Sequence, residues 1–323
     1  MDVKSAGFIA KVFVSLGLIG FLLYKIGGSN IIVSISQANP LYLSLAALLI
    51  VFEVSLLVFA WHSILRLMGH KVKYRQLCSI YLIGHFIGTF LPVNLGADIA
   101  RTYSLFRVIS NGPAAASSII TLRLSGALSL LFLVLLTPVV IDSGHPEDWI
   151  IAFFWTSLLG LISVLIAVNR FHGAKKWFGR WAETGSGFIK KNVGKLYLSL
   201  RESMAHPKVL GAGVALLIVV QGVRIFTAYV IGSALGSETD FYWFIVFVPL
   251  VMLLIQLPIS FSGMGVREAG LVYFMTQVGM SAHIALSIAL VTTALGFLFN
   301  LAGGVLYLSN KWREISNNRL RES

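Results

Sequence analysis

The chain has 323 residues, of which 57% are hydrophobic and only 12% charged. This balance excludes a soluble globular domain and indicates an all-α polytopic membrane protein. The net charge of +12 comes from Lys and Arg in short connectors between apolar runs, so we expect no nucleic-acid partner. The single cysteine, Cys78, excludes an internal disulfide and a cysteine-based metal cluster. We predict neither a metal ion nor a cofactor.

Six apolar runs are long enough to cross about 30 Å of hydrocarbon, which requires roughly 20 helical residues. The first run resembles a signal peptide but no convincing cleavage site follows it, so we expect a retained helix. The predicted spans are Gly7–Tyr24, Pro40–Trp61, Pro113–Ile141, Trp149–Val168, Val209–Leu235 and Ala282–Leu308.

The distribution of Lys and Arg predicts the side of the membrane on which each connector lies. The connectors after the second and fourth runs and the C-terminus are basic, and we expect them in the cytoplasm. The connectors 142–148 and 236–240 carry acidic residues without Lys or Arg, and we expect them outside. Six crossings then place both termini in the cytoplasm, in a cell (plasma or inner) membrane. The stretch 171–203 mixes cations with Trp and Phe, which is typical of a helix lying on an anionic leaflet.

Two further apolar segments, 76–107 and 242–278, are too short or too broken to be ordinary spans. A re-entrant hairpin in each segment preserves the charge bias, and so does a pair of extra crossings; both alternatives remain open, and we favour the hairpins. The prediction is a single membrane domain with a first repeat over 1–141 and a second repeat over 209–323. A connecting span and a basic interfacial segment fill 142–208.

Both segments carry the same pattern, in which Leu-Pro is followed by small residues and, nine positions after Pro, by Arg. Proline breaks helical hydrogen bonding, and glycine permits a tight turn or a close helix contact. Three predicted spans separate the copies, so the second copy enters from the opposite side, as in the inverted repeats of transporters. The helix-break residues are Pro92, Gly96, Pro258, Gly263 and Gly265; the small polar residues Asn94 and Ser260 join the predicted binding set.

Arg101 and Arg267 end the two copies and are candidate ligands for a lipid phosphate, because a guanidinium matches phosphate bidentately. Asp98 and Glu268 are predicted to orient them. The structural alternative is a local ion pair, Asp98–Arg101 or Arg267–Glu268, at the membrane interface.

Three more charges lie within predicted spans: Glu53, Arg123 and Arg224. The two arginines lie too deep to reach the headgroups easily, so we expect them to face the protein interior and to line the substrate route. Glu53 is a candidate to neutralise one of them. His85 lies inside the first broken segment, and we interpret it as a hydrogen-bonded residue without a functional role.

The segments Phe90–Arg101 and Leu257–Glu268, with Arg123 between them, resemble the lysylphosphatidylglycerol synthase transmembrane (flippase-like) family. The resemblance covers essentially the whole chain. It implies a lipid flippase, because membrane domains of this family move aminoacylated phosphatidylglycerol between leaflets and relatives are associated with polyprenyl-linked sugars. The chain ends soon after the last predicted span, so we do not expect aminoacyl-transferase activity.

The functional prediction is therefore a transporter of a phosphate-bearing lipid, and not an enzyme. The alternative is a membrane glycosyl- or phospho-transferase acting on a polyprenyl-phosphate carrier, for which Asp98 is the only good candidate base. The expected partners are anionic or phosphate-bearing membrane lipids, with a homo-oligomer or a lipid-modifying enzyme as a further possibility.

Overall fold

The computed structural model describes residues 3–90, 96–140, 207–256 and 263–322, and all secondary structure in these ranges is helical. The helices are α1 (Val3–Ile26), α2 (Gly28–Ser36), α3 (Pro40–Leu67), α4 (Tyr74–Phe90), α5 (Gly96–Ile109), α6 (Gly112–Val140), α7 (Pro207–Ala234), α8 (Phe241–Leu254), α9 (Val266–Thr276) and α10 (Ala282–Glu322).

In the described part of the chain, four helices are long and apolar enough to cross a bilayer, namely α3, α6, α7 and α10. They confirm four of the predicted spans as long apolar helices. Local sequence explains where α3 begins: the Asn39 side chain accepts a hydrogen bond from the Leu41 N–H at 2.9 Å, and Pro40 occupies the first helical position. The predicted span Trp149–Val168 and the basic stretch 171–203 lie outside the described residues.

The first predicted span, Gly7–Tyr24, lies within α1, and the chain bends directly after that helix. Gly27 has a φ of +88°, which a residue with a side chain rarely adopts, and it ends α1. The chain then bends by 83° into α2, which the sequence analysis had left in a connector. α1 packs against α9 and α2 against α10, so the bent pair contacts the second half of the chain.

The segment 76–107 folds as two helices, α4 and α5, which pack against each other and are called the first hairpin. A side-chain carbon added to Gly88 would lie 2.5 Å from the Cβ of Ala97, and one added to Gly84 would overlap Arg101. The earlier residue in α4 thus contacts the later residue in α5, so the two helices are antiparallel. The link 91–95, including Pro92 and Asn94, lies outside the described residues.

The segment 242–278 folds in the same way into α8 and α9, called the second hairpin. The rings of Phe247 and Phe274 stack with centroids 5.5 Å apart, and a side-chain carbon on Gly270 would lie 3.3 Å from Val251. These contacts again make the pair antiparallel. Gly263 and Gly265, with φ of +80° and +81°, shape the end of the link.

The described helices occur twice in the order long helix, hairpin, long helix. α3 and α7 begin at residues 40 and 207, and α4 and α8 at 74 and 241, which is the same interval of 167 residues. The equivalent helices α3 and α7 run in opposite directions. The Asn39 N–H donates to the Ala234 carbonyl at 2.8 Å, and Gly213 lies against Ile64, 25 residues further along α3 and 21 residues earlier in α7.

Each hairpin packs against a long helix of the other half: α4 against α10, and α8 against α6. Small residues permit the first of these contacts, because a side-chain carbon on Gly303 would overlap the Leu82 carbonyl and one on Gly304 would overlap the Phe86 ring. Among the described residues, two large apolar cores result, beside a small cluster of Leu22, Ile31 and Leu286. One surrounds the first hairpin and includes Trp61, and the other surrounds the second hairpin and includes Phe244.

Candidate functional site

A cavity of about 320 Å³ lies between α3, α4, α7, α8, α9 and α10, so both hairpins contribute to its wall. Most of the lining is apolar, from side chains such as Val248, Met252 and Ile288. The charged and polar side chains that line it include Glu53, Tyr81, His85, Arg224, Arg267 and Asn300. Few polar groups in an apolar cavity are typical of a ligand site.

Arg224 and Glu53 form an ion pair on the wall of the cavity. The Arg224 Nε and Nη2 atoms donate to Glu53 Oε1 at 2.8 and 2.5 Å, and Nη1 donates to Gln221 Oε1 at 2.9 Å. The sequence makes Glu53 a candidate to neutralise one of two arginines, and in the structure this arginine is Arg224. Pairing lowers the cost of placing both charges at membrane depth.

Arg267 lines the same cavity without an ion pair to any carboxylate in the described part of the chain. Its Nη1 atom donates to the Thr293 hydroxyl at 3.1 Å, and its buried Nε has no hydrogen-bond partner in the described ranges. The side chain therefore retains donors for an anion.

Glu268, predicted to orient Arg267, shares the Thr293 hydroxyl with it. The carboxylate is 1% exposed and accepts the Gly265 N–H at 2.6 Å, which caps the start of α9. Its other oxygen lies 3.4 Å from the Thr293 hydroxyl, the group that also accepts from Arg267. The direct Arg267–Glu268 ion pair of the structural alternative is not formed.

Arg101 lies in a second cluster, within the first hairpin. Its Nη1 contacts Asp98 Oδ1 at 3.4 Å, and Asp98 also pairs with Arg123. Its Nη2 lies 3.1 Å from His85 Nδ1, and its guanidinium carbon lies 3.9 Å from the centroid of the Tyr81 ring. Arg101 is 8% exposed, whereas the Arg123 side chain is 51% exposed.

The structure thus divides the predicted site into two groups. Arg224 and Arg267 share the cavity, and Arg101, Asp98 and Arg123 share the hairpin cluster. Arg123 does not line the cavity, contrary to the route proposed from sequence. Tyr81 and His85 belong to both groups, because they line the cavity and contact Arg101. The predicted residues Pro92, Asn94, Pro258 and Ser260 lie outside the described residues.

Sequence reasoning missed three contributors: His85, Tyr81 and Thr293. His85 was considered and left without a role, although Tyr81 and His85 are four positions apart and share one face of α4. That spacing was a usable signal. Nothing in the sequence pairs Thr293 with Arg267, because they lie on different helices.

A family model described as the lysylphosphatidylglycerol synthase TM region matches residues 8–304 of this chain. The chain belongs to this family. Membership confirms the resemblance carried by the two Leu-Pro segments and identifies a multi-pass membrane protein.

Relatives of the chain are also named only as membrane proteins. It is similar to a UPF0104 membrane protein of Methanothermobacter thermautotrophicus, with 21% identity over 298 residues that cover 87% of this chain and 88% of the relative. It is also similar to a UPF0104 membrane protein of Methanocaldococcus jannaschii, with 23% identity over 169 residues, 51% of this chain and 50% of the relative.

Proposed function

We propose that this family member is a flippase-like transporter that moves a phosphate-bearing lipid between leaflets. The candidate substrates are a phospholipid, an aminoacyl-phospholipid or a polyprenyl-linked glycolipid. The observation that carries the proposal is Arg267, a cation that lines a cavity between two helical hairpins and pairs with no carboxylate among the described residues.

The chemistry of the cavity suits a phosphate headgroup. Charge-assisted hydrogen bonds from a guanidinium to phosphate are among the strong ones, and a low local dielectric strengthens them. Arg224 is held by Glu53, so Arg267 supplies the attraction and the ion pair supplies a polar wall. A volume of about 320 Å³ suits a headgroup, while the acyl chains stay in the lipid.

The lengths of the paired helices support re-entrant hairpins. At a rise of about 1.5 Å per residue, α4 and α5 span about 26 and 21 Å, and α8 and α9 about 21 and 17 Å. Each is shorter than the roughly 30 Å of hydrocarbon. Together with the antiparallel α3 and α7, this favours an inverted repeat whose two hairpins enter from opposite faces and rock around one central site.

The decisive test is lipid movement in proteoliposomes that contain the purified protein and fluorescent phosphate-bearing lipids. We expect Arg267→Ala to reduce the rate at least tenfold and Arg267→Lys to restore part of it, because Lys retains the charge without the planar fork. Arg107→Ala, which removes an exposed cation at the end of α5, is the matched control and should leave the rate unchanged. Equal rates for all four proteins would refute the assignment of the site.

The transferase alternative has less support. Asp98, its candidate base, already pairs with Arg101 and Arg123, so the two cations compete with a substrate for the carboxylate. Mass spectrometry of the lipids after the assay separates the two functions, since a transferase changes the headgroup and a transporter does not. The location in a plasma or inner membrane remains a prediction, and so do the cytoplasmic termini. The lipid partners and a homo-oligomer or enzyme partner are predictions as well.

A further inference from the structure

The contact between Arg101 and His85 defines the protonation state of the imidazole. A guanidinium only donates hydrogen bonds, so the Nδ1 atom 3.1 Å from Arg101 Nη2 must accept. His85 in this arrangement is therefore neutral and carries its proton on Nε2. A neutral ring nitrogen is the acceptor at this position in the buried arginine cluster.

Arg101 is incompletely satisfied in this arrangement. Its buried Nε atom has no hydrogen-bond partner among the residues that the structure describes. Its contact with Asp98 is long, at 3.4 Å, and Asp98 is shared with Arg123. Because an anionic oxygen is a stronger acceptor for a guanidinium than a neutral ring nitrogen, the site is poised to exchange one for the other.

We infer that His85 is a displaceable stand-in for a phosphate oxygen on Arg101, so that the arginine cluster of the first hairpin is a second phosphate site. The inference rests on the proposed function for the identity of the ligand, a lipid phosphate. Arg123 is half exposed and pairs with the other oxygen of Asp98, so its guanidinium is open to an arriving headgroup.

Displacement of His85 also alters the central cavity. Tyr81 and His85 line that cavity, their rings stack with centroids 5.9 Å apart, and Arg101 lies over the Tyr81 ring. These two side chains are thus the wall between Arg101 and the cavity that contains Arg267. A headgroup that takes the place of His85 on Arg101 frees the wall to move, which connects the two phosphate sites.

The test measures binding rather than transport. In neutral detergent, the affinity of the full chain is determined for dihexanoyl phosphatidylglycerol, for inorganic phosphate and for dihexanoylglycerol, which lacks phosphate. His85→Phe keeps a ring against Tyr81 but removes the acceptor, and His85→Asn keeps an acceptor oxygen near the Nδ1 position. We expect His85→Phe to bind the phospholipid about tenfold more tightly, equivalent to about 1.4 kcal/mol. His85→Asn should match the wild type.

The double variant with Arg101→Gln identifies the cause. If His85 competes for Arg101, the gain from His85→Phe disappears when Arg101 is replaced. A loss of affinity in His85→Phe, or a gain that persists without Arg101, would overturn the inference. A gain for inorganic phosphate alone would retain the role of His85 but reject a lipid as the ligand. Because no step requires lipid movement, an inactive transporter with this binding pattern would refute the proposed function and leave the inference intact.

Discussion

Arg224 of α7 and Glu53 of α3 join the two antiparallel helices that begin the two halves of the fold. Both side chains are largely buried, with 29% and 14% exposed. The pair therefore serves two purposes: it holds the halves together and lines the cavity in which Arg267 lies.

Replacement of one partner of this pair should destabilise the protein more than replacement of both. Glu53→Ala leaves a buried cation unpaired, for which we expect a loss of about 3 kcal/mol, and Arg224→Ala leaves the carboxylate unpaired. The double variant should recover part of the loss. The change in stability is measured by thermal unfolding of the purified protein, with size-exclusion chromatography as the readout. A double variant less stable than either single variant would contradict the ion pair.

The close contact in the first hairpin predicts a specific effect of Gly88→Ala. The new methyl group would lie 2.6 Å from the backbone N and Cα of Ala97, and backbone atoms cannot rotate away. We expect a loss of roughly 1–3 kcal/mol, typical of overpacking. Gly211→Ala, on an exposed face of α7 with no atom within 4 Å, is the control and should be neutral or slightly stabilising.

The contact of α1 with the second hairpin predicts that two glycines of similar φ differ in how strongly an alanine substitution destabilises the protein. Gly265 and Gly236 have φ of +81° and +78°, so alanine is strained at both. Only at Gly265 would the methyl group also approach Ser15 O and Leu18 Cβ, each at 3.0 Å. Gly265→Ala should therefore lower the thermal midpoint further than Gly236→Ala. Equal decreases in the thermal midpoint would mean that α1 moves away from the new methyl group without loss of stability.

Cysteine labelling tests the proposed topology. With Cys78 replaced by Ser, single cysteines at the exposed residues Lys71 and Asn111, which flank the first hairpin, should react from one side of the membrane. Cysteines at the exposed Glu238 and Ser281, which flank the second hairpin, should react from the other side. The residues within each pair share a side only if the hairpin enters and leaves on one face or crosses twice. Labelling of both pairs from one side would reject the inverted repeat.

The length of a hairpin separates re-entry from two crossings. Single cysteines are placed at positions 94 and 260 of the two links. If a hairpin crosses the membrane fully, a hydrophilic reagent should label its cysteine from the side opposite to the flanking residues. Under the proposal, we expect both cysteines to react slowly with bulky hydrophilic reagents from either side. Fast labelling of both positions from the far side would favour pairs of crossings.

Hydrophobic runs and charge counts were sufficient for the membrane class, for the four long helices α3, α6, α7 and α10, and for the two broken segments. These features depend on about 20 consecutive residues at a time, because a bilayer selects for local apolar length. The same holds for the family, since its Leu-Pro and Arg pattern lies within single segments.

Contacts between distant residues were decided only by tertiary structure. Asp98, predicted to orient Arg101, pairs with Arg123 as well, and Glu268, predicted to orient Arg267, caps α9. The bend at Gly27, just beyond the first predicted span, was likewise decided by the fold. Local composition determines which segments enter the membrane, whereas the choice of partner for a buried charge depends on which helices lie side by side, and that follows from the packing of the whole chain.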